Sequence, residues 1–328
     1  MKAWQQTTHA DPPLALSRVD IAAPEMLDGL VRIKVDAVAL GLPDVFMCQG
    51  TYAYKPELPC VPGQEFVGEV LECPDGFDEF KAGDRVAGVS TFFSGQGSFA
   101  EVCLALPHSI YPVGDAIDDA QAAGFIIAYH TAYVGLVMRA GLKAGETVLV
   151  SGGAGGTGSA AIQLATALGA QVIAMASSEA KRQVCRDCGA QTVIDPAEGD
   201  FVAQVRAATG GAGVDMVFDP VGGEFYERCF SVLKHQGRVL PIGFASGRWG
   251  DTPMGKVVQS NLSVIGALPA GFSRSEQLAA HAELVKLLEQ RKIHCLVDDV
   301  IDFEEIPQGL MRVANREVTG RVIARVSN

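Results

Sequence analysis

Three glycines in the middle of the chain have a spacing that suits a bound dinucleotide. Gly153, Gly155 and Gly158 form a G-x-G-x-x-G pattern. The first glycine permits the tight turn, the second lets a pyrophosphate approach the backbone, and the third lets helix and strand pack closely. The N–H groups of Gly156 and Thr157 then open a helix and can donate to phosphate. The pattern predicts a dinucleotide site, the alternative being a glycine loop in another kind of α/β protein.

The residues after the next predicted strand indicate which dinucleotide is bound. NAD-binding chains usually place an acidic residue about 20 positions after the glycine turn to bind the ribose 2′-hydroxyl. Here that position is Ala176, followed by Ser177 and, one helical turn on, by Lys181 and Arg182. A hydroxyl and a cation suit a 2′-phosphate, so the pattern predicts NADPH. Arg182 has an equally good interpretation as a solvated helix residue.

Alternating strands and helices must position these residues. A β-branched strand, Thr147–Val150, precedes the glycine turn, and an alanine-rich helix follows it. Further strands are predicted at 171–175, 192–194, 214–218, 238–242 and 262–266, with helices at 181–188, 198–208 and 223–233 between them. This alternation predicts an α/β fold of the Rossmann type, with a doubly wound parallel sheet covered by helices on both faces.

The remainder of the chain has a different pattern. Residues 31–35, 68–72 and 84–88 are predicted strands in a turn-rich β module, and a helix begins at Asp118. Near the C-terminus an amphipathic helix covers 278–288. We expect the last strand, 320–326, to return to the N-terminal β module.

Composition excludes several classes of protein. A net charge of −12 over 328 residues argues against a nucleic-acid partner. The chain has no apolar run long enough for a membrane span and no signal-peptide core at its N-terminus, so we expect a cytoplasmic protein that does not bind membranes. Its eight cysteines are scattered. The C-x-x-C of Cys185 and Cys188 lacks the second pair that a zinc site needs.

Several motifs together resemble the medium-chain dehydrogenase/reductase superfamily, in its zinc-free quinone oxidoreductase (zeta-crystallin-like) branch. Besides the glycine turn, these motifs are Gly63-Gln64-Glu65-Phe66-Val67-Gly68, Ala82-Gly83-Asp84-Arg85-Val86, Gly97-Ser98-Phe99-Ala100-Glu101, Thr131-Ala132-Tyr133 and Thr319-Gly320-Arg321-Val322. The resemblance implies a GroES-like β-rich catalytic domain, 1–122 and 267–328, and a Rossmann NADPH-binding domain, 123–266. It also implies an active site in the cleft between them and a homodimer.

The resemblance also bears on metal binding. Zinc alcohol dehydrogenases carry a Cys where this chain has Gly41 and a His where it has Gln64; only the acid, Glu65, is kept. A catalytic zinc needs three protein ligands, so we expect no metal. Glu65 then has an ordinary role as a cap or in a buried hydrogen bond.

The same resemblance assigns residues near the nicotinamide and the substrate. It places Thr131 beside the nicotinamide carboxamide, Gly243 and Phe244 near its ribose, and Arg321 against the cofactor. His130 is better interpreted as a packed helix residue than as a proton donor. Tyr52 matches a Tyr of enoyl-thioester reductases that assists proton delivery, although it could merely cover the pocket.

These expectations favour an NADPH-dependent quinone or enone oxidoreductase. Hydride transfer to a quinone or an α,β-unsaturated carbonyl needs alignment more than an obligate acid or base. Two alternatives remain: an enoyl-thioester (acyl-CoA or acyl-carrier) reductase, and a non-catalytic NADPH-binding protein.

Overall fold

A computed structural model describes residues 1–114 and 117–326. The chain forms two compact units: unit 1 comprises Met1–Ile127 and Cys295–Asn328, and unit 2 comprises Ala128–His294. The predicted division at 122/123 and 266/267 differs from these units, because residues 123–127 cluster with unit 1 and residues 267–294 with unit 2. The predicted domain ranges also include residues 115, 116, 327 and 328, which lie outside the described residues.

The strands are β1 (Lys2–Gln6), β2 (Leu16–Asp20), β3 (Val31–Leu40), β4 (Glu65–Glu72), β5 (Arg85–Ser90), β6 (Val102–Pro112), β7 (Thr147–Val150), β8 (Gln171–Met175), β9 (Thr192–Ile194), β10 (Val214–Asp219), β11 (Leu233–Pro241), β12 (Ser263–Val264), β13 (Val297–Asp302) and β14 (Arg321–Arg325). The α-helices are α1 (Pro12–Ala15), α2 (Leu42–Cys48), α3 (Asp119–Ala123), α4 (Ile126–Tyr133), α5 (Gly156–Ala167), α6 (Glu179–Asp187), α7 (Phe201–Ala208), α8 (Gly223–Cys229), α9 (Met254–Gln259), α10 (Arg274–Glu289) and α11 (Ile306–Ala314). A π-helical segment, Val134–Arg139, continues α4.

Unit 1 is built on a six-stranded sheet in the order β13-β14-β3-β4-β5-β6, and β3 also pairs with β6. This extra pairing closes β3 to β6 into a small barrel. Alternation along β3 explains its position, because Val31, Ile33 and Val35 are buried in the core. The expected return of the last strand is confirmed: β14 pairs antiparallel with β3, with Val322 opposite Leu40.

Unit 2 is built on a parallel six-stranded sheet in the order β12-β11-β10-β7-β8-β9. The strand before the glycine turn, β7, lies in its middle, next to β10 and β8. Strand order reverses at this point, and open parallel sheets bind ligands at such a reversal. The predicted Rossmann-type sheet is confirmed.

Two predicted helix boundaries in unit 2 shift for local reasons. The helix predicted at 198–208 begins at Phe201, because the Asp200 side chain caps it by accepting from the N–H of Val202 at 3.1 Å. The helix predicted at 223–233 ends at Cys229, because the buried residues Val232 and Leu233 lead into β11 instead.

The described part of the chain holds no helix of the length and apolarity that a membrane crossing requires. The cytoplasmic location stays a prediction.

Candidate functional site

The glycine turn of unit 2 connects β7 to α5, and its backbone requires glycine. A Cβ at Gly158 would lie 2.2 Å from the carbonyl oxygen of Gly152, which is closer than any side chain tolerates. A Cβ at Gly155 would meet only that same oxygen, at 3.5 Å. Open space therefore lies over Gly155, beside the first N–H groups of α5, which have no partner within a helix. The residues predicted to contact the pyrophosphate lie in the turn or the first helical positions: Gly153, Gly155, Gly156, Thr157 and Gly158.

A buried hydrogen bond joins the glycine turn to the last residue of β10. The hydroxyl of Ser151 donates to Asp219 Oδ1 at 2.6 Å, and both residues are buried. The same carboxylate accepts from the N–H groups of Val221 at 2.9 Å and of Gly222 at 3.1 Å. The pKa of Asp219 is raised, because the effect of burial exceeds the lowering effect of these donors. Sequence analysis missed Asp219, although a carboxylate directly after an apolar strand was an available signal.

The backbone of Asp219 also holds the loop after β11. Its carbonyl oxygen accepts from the N–H groups of Ile242 at 2.8 Å and of Gly243 at 3.2 Å. The next residue, Phe244, packs against Trp249 with ring centroids 4.9 Å apart. Gly243 and Phe244 therefore lie at the same end of the sheet as the glycine turn, as the predicted ribose contact requires.

The residues predicted to select the 2′-phosphate follow β8. Ala176 is buried, Ser177 is exposed and Lys181 is half-buried on the first turn of α6. Arg182 is engaged by two carboxylates: its Nε donates to Glu179 at 2.9 Å and its Nη1 pairs with Asp195. Ser177 and Lys181 are thus placed at the strand end, whereas Arg182 is already engaged by Glu179 and Asp195.

Thr131 lies on α4, half-buried, beside a buried histidine pair. His130 Nε2 is 3.1 Å from His281 Nδ1, and the two rings belong to α4 and α10. Burial, with smaller effects from His281 and Arg274, lowers the pKa of His130 to about 3. The neutral, packed His130 confirms the interpretation as a helix residue. Sequence analysis did not find its partner, because 151 residues separate the two rings.

The positions compared with zinc alcohol dehydrogenases lie in unit 1, and their chemistry does not fit a metal. Gln64 is buried, with its Nε2 3.7 Å from Met47 Sδ. Glu65 accepts from the N–H of Ile127 at 2.7 Å and is paired with Arg321, so it has the buried hydrogen-bonding role expected. Among residues 1–114 and 117–326, no group of three or more His, Cys, Asp or Glu side chains could hold a metal ion.

A second buried carboxylate, Asp44, lies close to this pair. Its Oδ2 accepts from the N–H of Gly41 at 2.9 Å, and its Oδ1 has no hydrogen-bond partner. Burial raises the pKa of Asp44 from 3.8 to about 7; the Gly41 N–H and the charge of Arg321 oppose this rise. Asp44, Glu65 and Arg321 therefore form a buried cluster of two carboxylates and one guanidinium, in which burial favours the protonated form of Asp44. Nothing in the sequence around Asp44 indicated that its carboxyl group is buried.

Tyr52 and Arg321 also belong to unit 1. Tyr52 is half-buried, and its pKa is raised by burial and by the nearby Asp44, while a hydrogen bond with the Gln64 side chain lowers it. Arg321 forms an ion pair with Glu65. Binding of Arg321 to the cofactor would compete with this ion pair, and it stays a prediction. The predicted residues thus divide into a cofactor set in unit 2 and a smaller set in unit 1.

Comparison with known proteins agrees with these two units. Residues 27–115 match the profile of the alcohol dehydrogenase GroES-like domain, and residues 156–286 match that of the zinc-binding dehydrogenases. A quinone oxidoreductase-like protein 2 homolog from Nematostella vectensis is 32% identical over 89% of this chain and 80% of its own.

Solved structures show the same likeness. A probable oxidoreductase from Mycobacterium abscessus has 35% identity and a TM-score of 0.86, covering 99% of this chain and 98% of that one. The Escherichia coli quinone oxidoreductase, solved with NADPH, has 26% identity and a TM-score of 0.89, covering 99% of this chain and 100% of that one.

Proposed function

The chain belongs to the medium-chain dehydrogenase/reductase superfamily, among the quinone oxidoreductases, and from this we propose that it is an NADPH-dependent quinone or enone reductase that works without a metal. The observation that carries the proposal is the glycine turn: the chain approaches itself so closely at Gly158 that no side chain fits, and leaves open space over Gly155. A pyrophosphate fits that space, next to the N-terminus of α5.

The choice of NADPH rests on the end of β8. Ala176 offers no carboxylate for a ribose 2′-hydroxyl, whereas Ser177 and Lys181 offer a hydroxyl and a cation. The Escherichia coli relative was solved with NADPH. In the proposal Ser177 and Lys181 bind the 2′-phosphate, and Arg182 assists when it leaves Asp195. Comparing the affinities for NADPH and NADH tests this assignment.

The proposal needs no zinc, because the residues at the three compared positions do not fit a zinc site. A glycine and an amide replace two of the three expected ligands, and the remaining acid, Glu65, is paired with Arg321. Elemental analysis of active protein tests this step. Stoichiometric zinc, with activity lost to a chelator and restored by zinc, would contradict it.

When bound, the nicotinamide supplies the hydride, and the chain supplies orientation and a proton. In the proposal Thr131 orients the nicotinamide, while the loop with Gly243 and Phe244 contacts its ribose. The hydroxyl of Tyr52 donates a proton to the enolate oxygen or carbon that hydride addition leaves, and Gln64 orients that hydroxyl.

One set of assays separates this function from its alternatives. NADPH oxidation is measured with 9,10-phenanthrenequinone, a simple enone and crotonyl-CoA. Turnover of the quinone or the enone supports the proposal. Turnover of crotonyl-CoA alone indicates an enoyl-thioester reductase, and tight NADPH binding without any turnover indicates a non-catalytic protein.

We extend the proposal to a homodimer. The edge strand β12 and the residues after it expose large apolar side chains, with Val264 41% and Leu268 65% exposed. An edge strand beside such side chains is suited to pairing with a second copy. Light scattering after size exclusion tests this, and a monomer at micromolar concentration would contradict it.

A further inference from the structure

Four aromatic rings form a continuous surface in unit 1, which we call the aromatic surface: Tyr52, Tyr54, Phe92 and Phe93. The Tyr54 ring is central, 6.1 Å from Tyr52, 5.8 Å from Phe92 and 6.1 Å from Phe93 between centroids. Phe92 and Phe93 are themselves 5.6 Å apart. All these separations fall within the range of interacting aromatic pairs.

The base of this surface is anchored while its outer rings face solvent. Phe92 is only 6% exposed, and its 3-10 turn is held by Ser94, whose N–H and hydroxyl donate to the Thr91 carbonyl at 2.9 and 2.8 Å. In contrast, Tyr54 is 51% and Phe93 41% exposed. Two large rings therefore remain in water on a fixed base, although exposing them is unfavourable.

The aromatic surface begins at the residue proposed to donate the proton. Tyr52 is half-buried, and from it the rings continue to the more exposed Tyr54 and then to Phe93 in two steps of 6.1 Å. A ligand with its carbonyl at Tyr52 and a second ring or flat substituent can contact Tyr54 or Phe93 along this series of rings.

We propose that Tyr54 and Phe93 form an outer subsite that binds a flat aromatic part of the substrate, distinct from the ring or double bond that is reduced. The two rings are tilted by 48° to each other. A flat ring stacked on one of them is therefore inclined by 48° to the other, the same tilt that the two rings have between themselves. Offset stacking is a favoured aromatic geometry, and a saturated ring of the same size lacks it. Only the identification of the ligand as a substrate rests on the proposed function, because binding of a flat aromatic group needs no turnover.

Binding of a probe that cannot be reduced tests the subsite directly. We expect 2-naphthol to bind the full-length protein, measured by ligand-observed NMR, more tightly than its saturated analogue decahydro-2-naphthol. Tyr54→Leu and Phe93→Leu should each weaken 2-naphthol binding by about threefold to tenfold, the range of one aromatic pair, and leave the analogue unchanged. Tyr54→Phe should retain binding, and Leu14→Ala, at a 75% exposed site elsewhere in unit 1, should have no effect. Equal weakening of both probes, or of neither, overturns the proposal.

Turnover gives a second, separable readout. Tyr54→Leu should lower kcat/KM for 9,10-phenanthrenequinone by the same factor and leave 1,4-benzoquinone within about twofold. A protein that binds 2-naphthol through Tyr54 yet reduces no quinone would refute the proposed function and keep the subsite. A Tyr54→Leu protein that loses its oligomeric state with unchanged 2-naphthol binding would show that a second copy covers this surface, and the subsite would be wrong.

Discussion

Ser151 Oγ donates to Asp219 Oδ1 across 2.6 Å, and this hydrogen bond connects the ends of the adjacent parallel strands β7 and β10. One strand leads into the glycine turn. The other leads into the loop whose Gly222 N–H also donates to Asp219, and the Asp219 carbonyl in turn accepts from Gly243. Three segments of the proposed cofactor site are thus held by one buried residue.

Ser151→Ala should therefore destabilise unit 2 and loosen the cofactor site together. The substitution removes a donor to a buried carboxylate, which costs about 1.5–3 kcal/mol in the free energy of unfolding. We expect a weaker affinity for NADPH as well, measured by fluorescence titration beside a urea denaturation curve. Ser159→Ala is the control for stability, since its hydroxyl donates only to a carbonyl of its own helix at 3.1 Å. Equal stability of the Ser151→Ala and wild-type proteins would show that the link is not needed.

Asp44→Asn should change how stability depends on pH. The folded-state pKa of Asp44 is raised from 3.8 to about 7, so the folded protein binds a proton that the unfolded chain has released in this interval. Stability contributed by that proton is complete below about pH 4 and is lost as pH rises through 7, a change of up to about 4 kcal/mol. Asparagine is neutral at every pH and can still accept from the N–H of Gly41.

We therefore expect the stability difference, Asp44→Asn minus wild type, to become more positive between pH 5 and pH 8.5 in urea denaturation. The exposed Asp78 provides the matched control: Asp78→Asn should give the same difference at both pH values. A difference for Asp44→Asn that does not vary with pH would mean that this carboxyl titrates normally.

Lys181→Ala should weaken the binding of NADPH but not that of NADH. Loss of a charge-assisted bond to the 2′-phosphate lowers NADPH affinity by about tenfold or more, and NADH affinity should not change. Arg182→Ala is the informative comparison, because its guanidinium already binds Glu179 and Asp195, so we expect a smaller loss. If Lys181→Ala left the ratio of the two affinities unchanged, a residue other than Lys181 would bind the 2′-phosphate.

Tyr52→Phe should slow turnover without altering NADPH binding. Removing a proton donor costs roughly 100-fold in kcat for an enone, because the enolate then depends on water. The phenylalanine keeps the ring and so preserves the aromatic surface, which makes 2-naphthol binding the internal control. Full turnover by Tyr52→Phe would remove Tyr52 from the mechanism.

The sequence by itself determined the features that depend on local backbone chemistry. The spacing of Gly153, Gly155 and Gly158 predicted the turn, because only glycine permits the close approach at Gly158, and the alternation around it predicted the parallel sheet. The sequence likewise shows that Gly41 and Gln64 stand where zinc alcohol dehydrogenases carry zinc ligands. The site residues Ser177, Lys181, Thr131 and Tyr52 stay predictions, with positions that the structure now describes.

Only the tertiary structure decided which distant groups share one environment. Ser151 and Asp219 are 68 residues apart, and Glu65 and Arg321 are 256 residues apart, so no local pattern could pair them. The raised pKa of Asp44 depends on burial, and the aromatic surface depends on residues 52–54 and 92–93 meeting in unit 1. Burial and long-range pairing depend on how the whole chain packs, whereas turns and strands can be predicted from residues that are neighbours in the sequence.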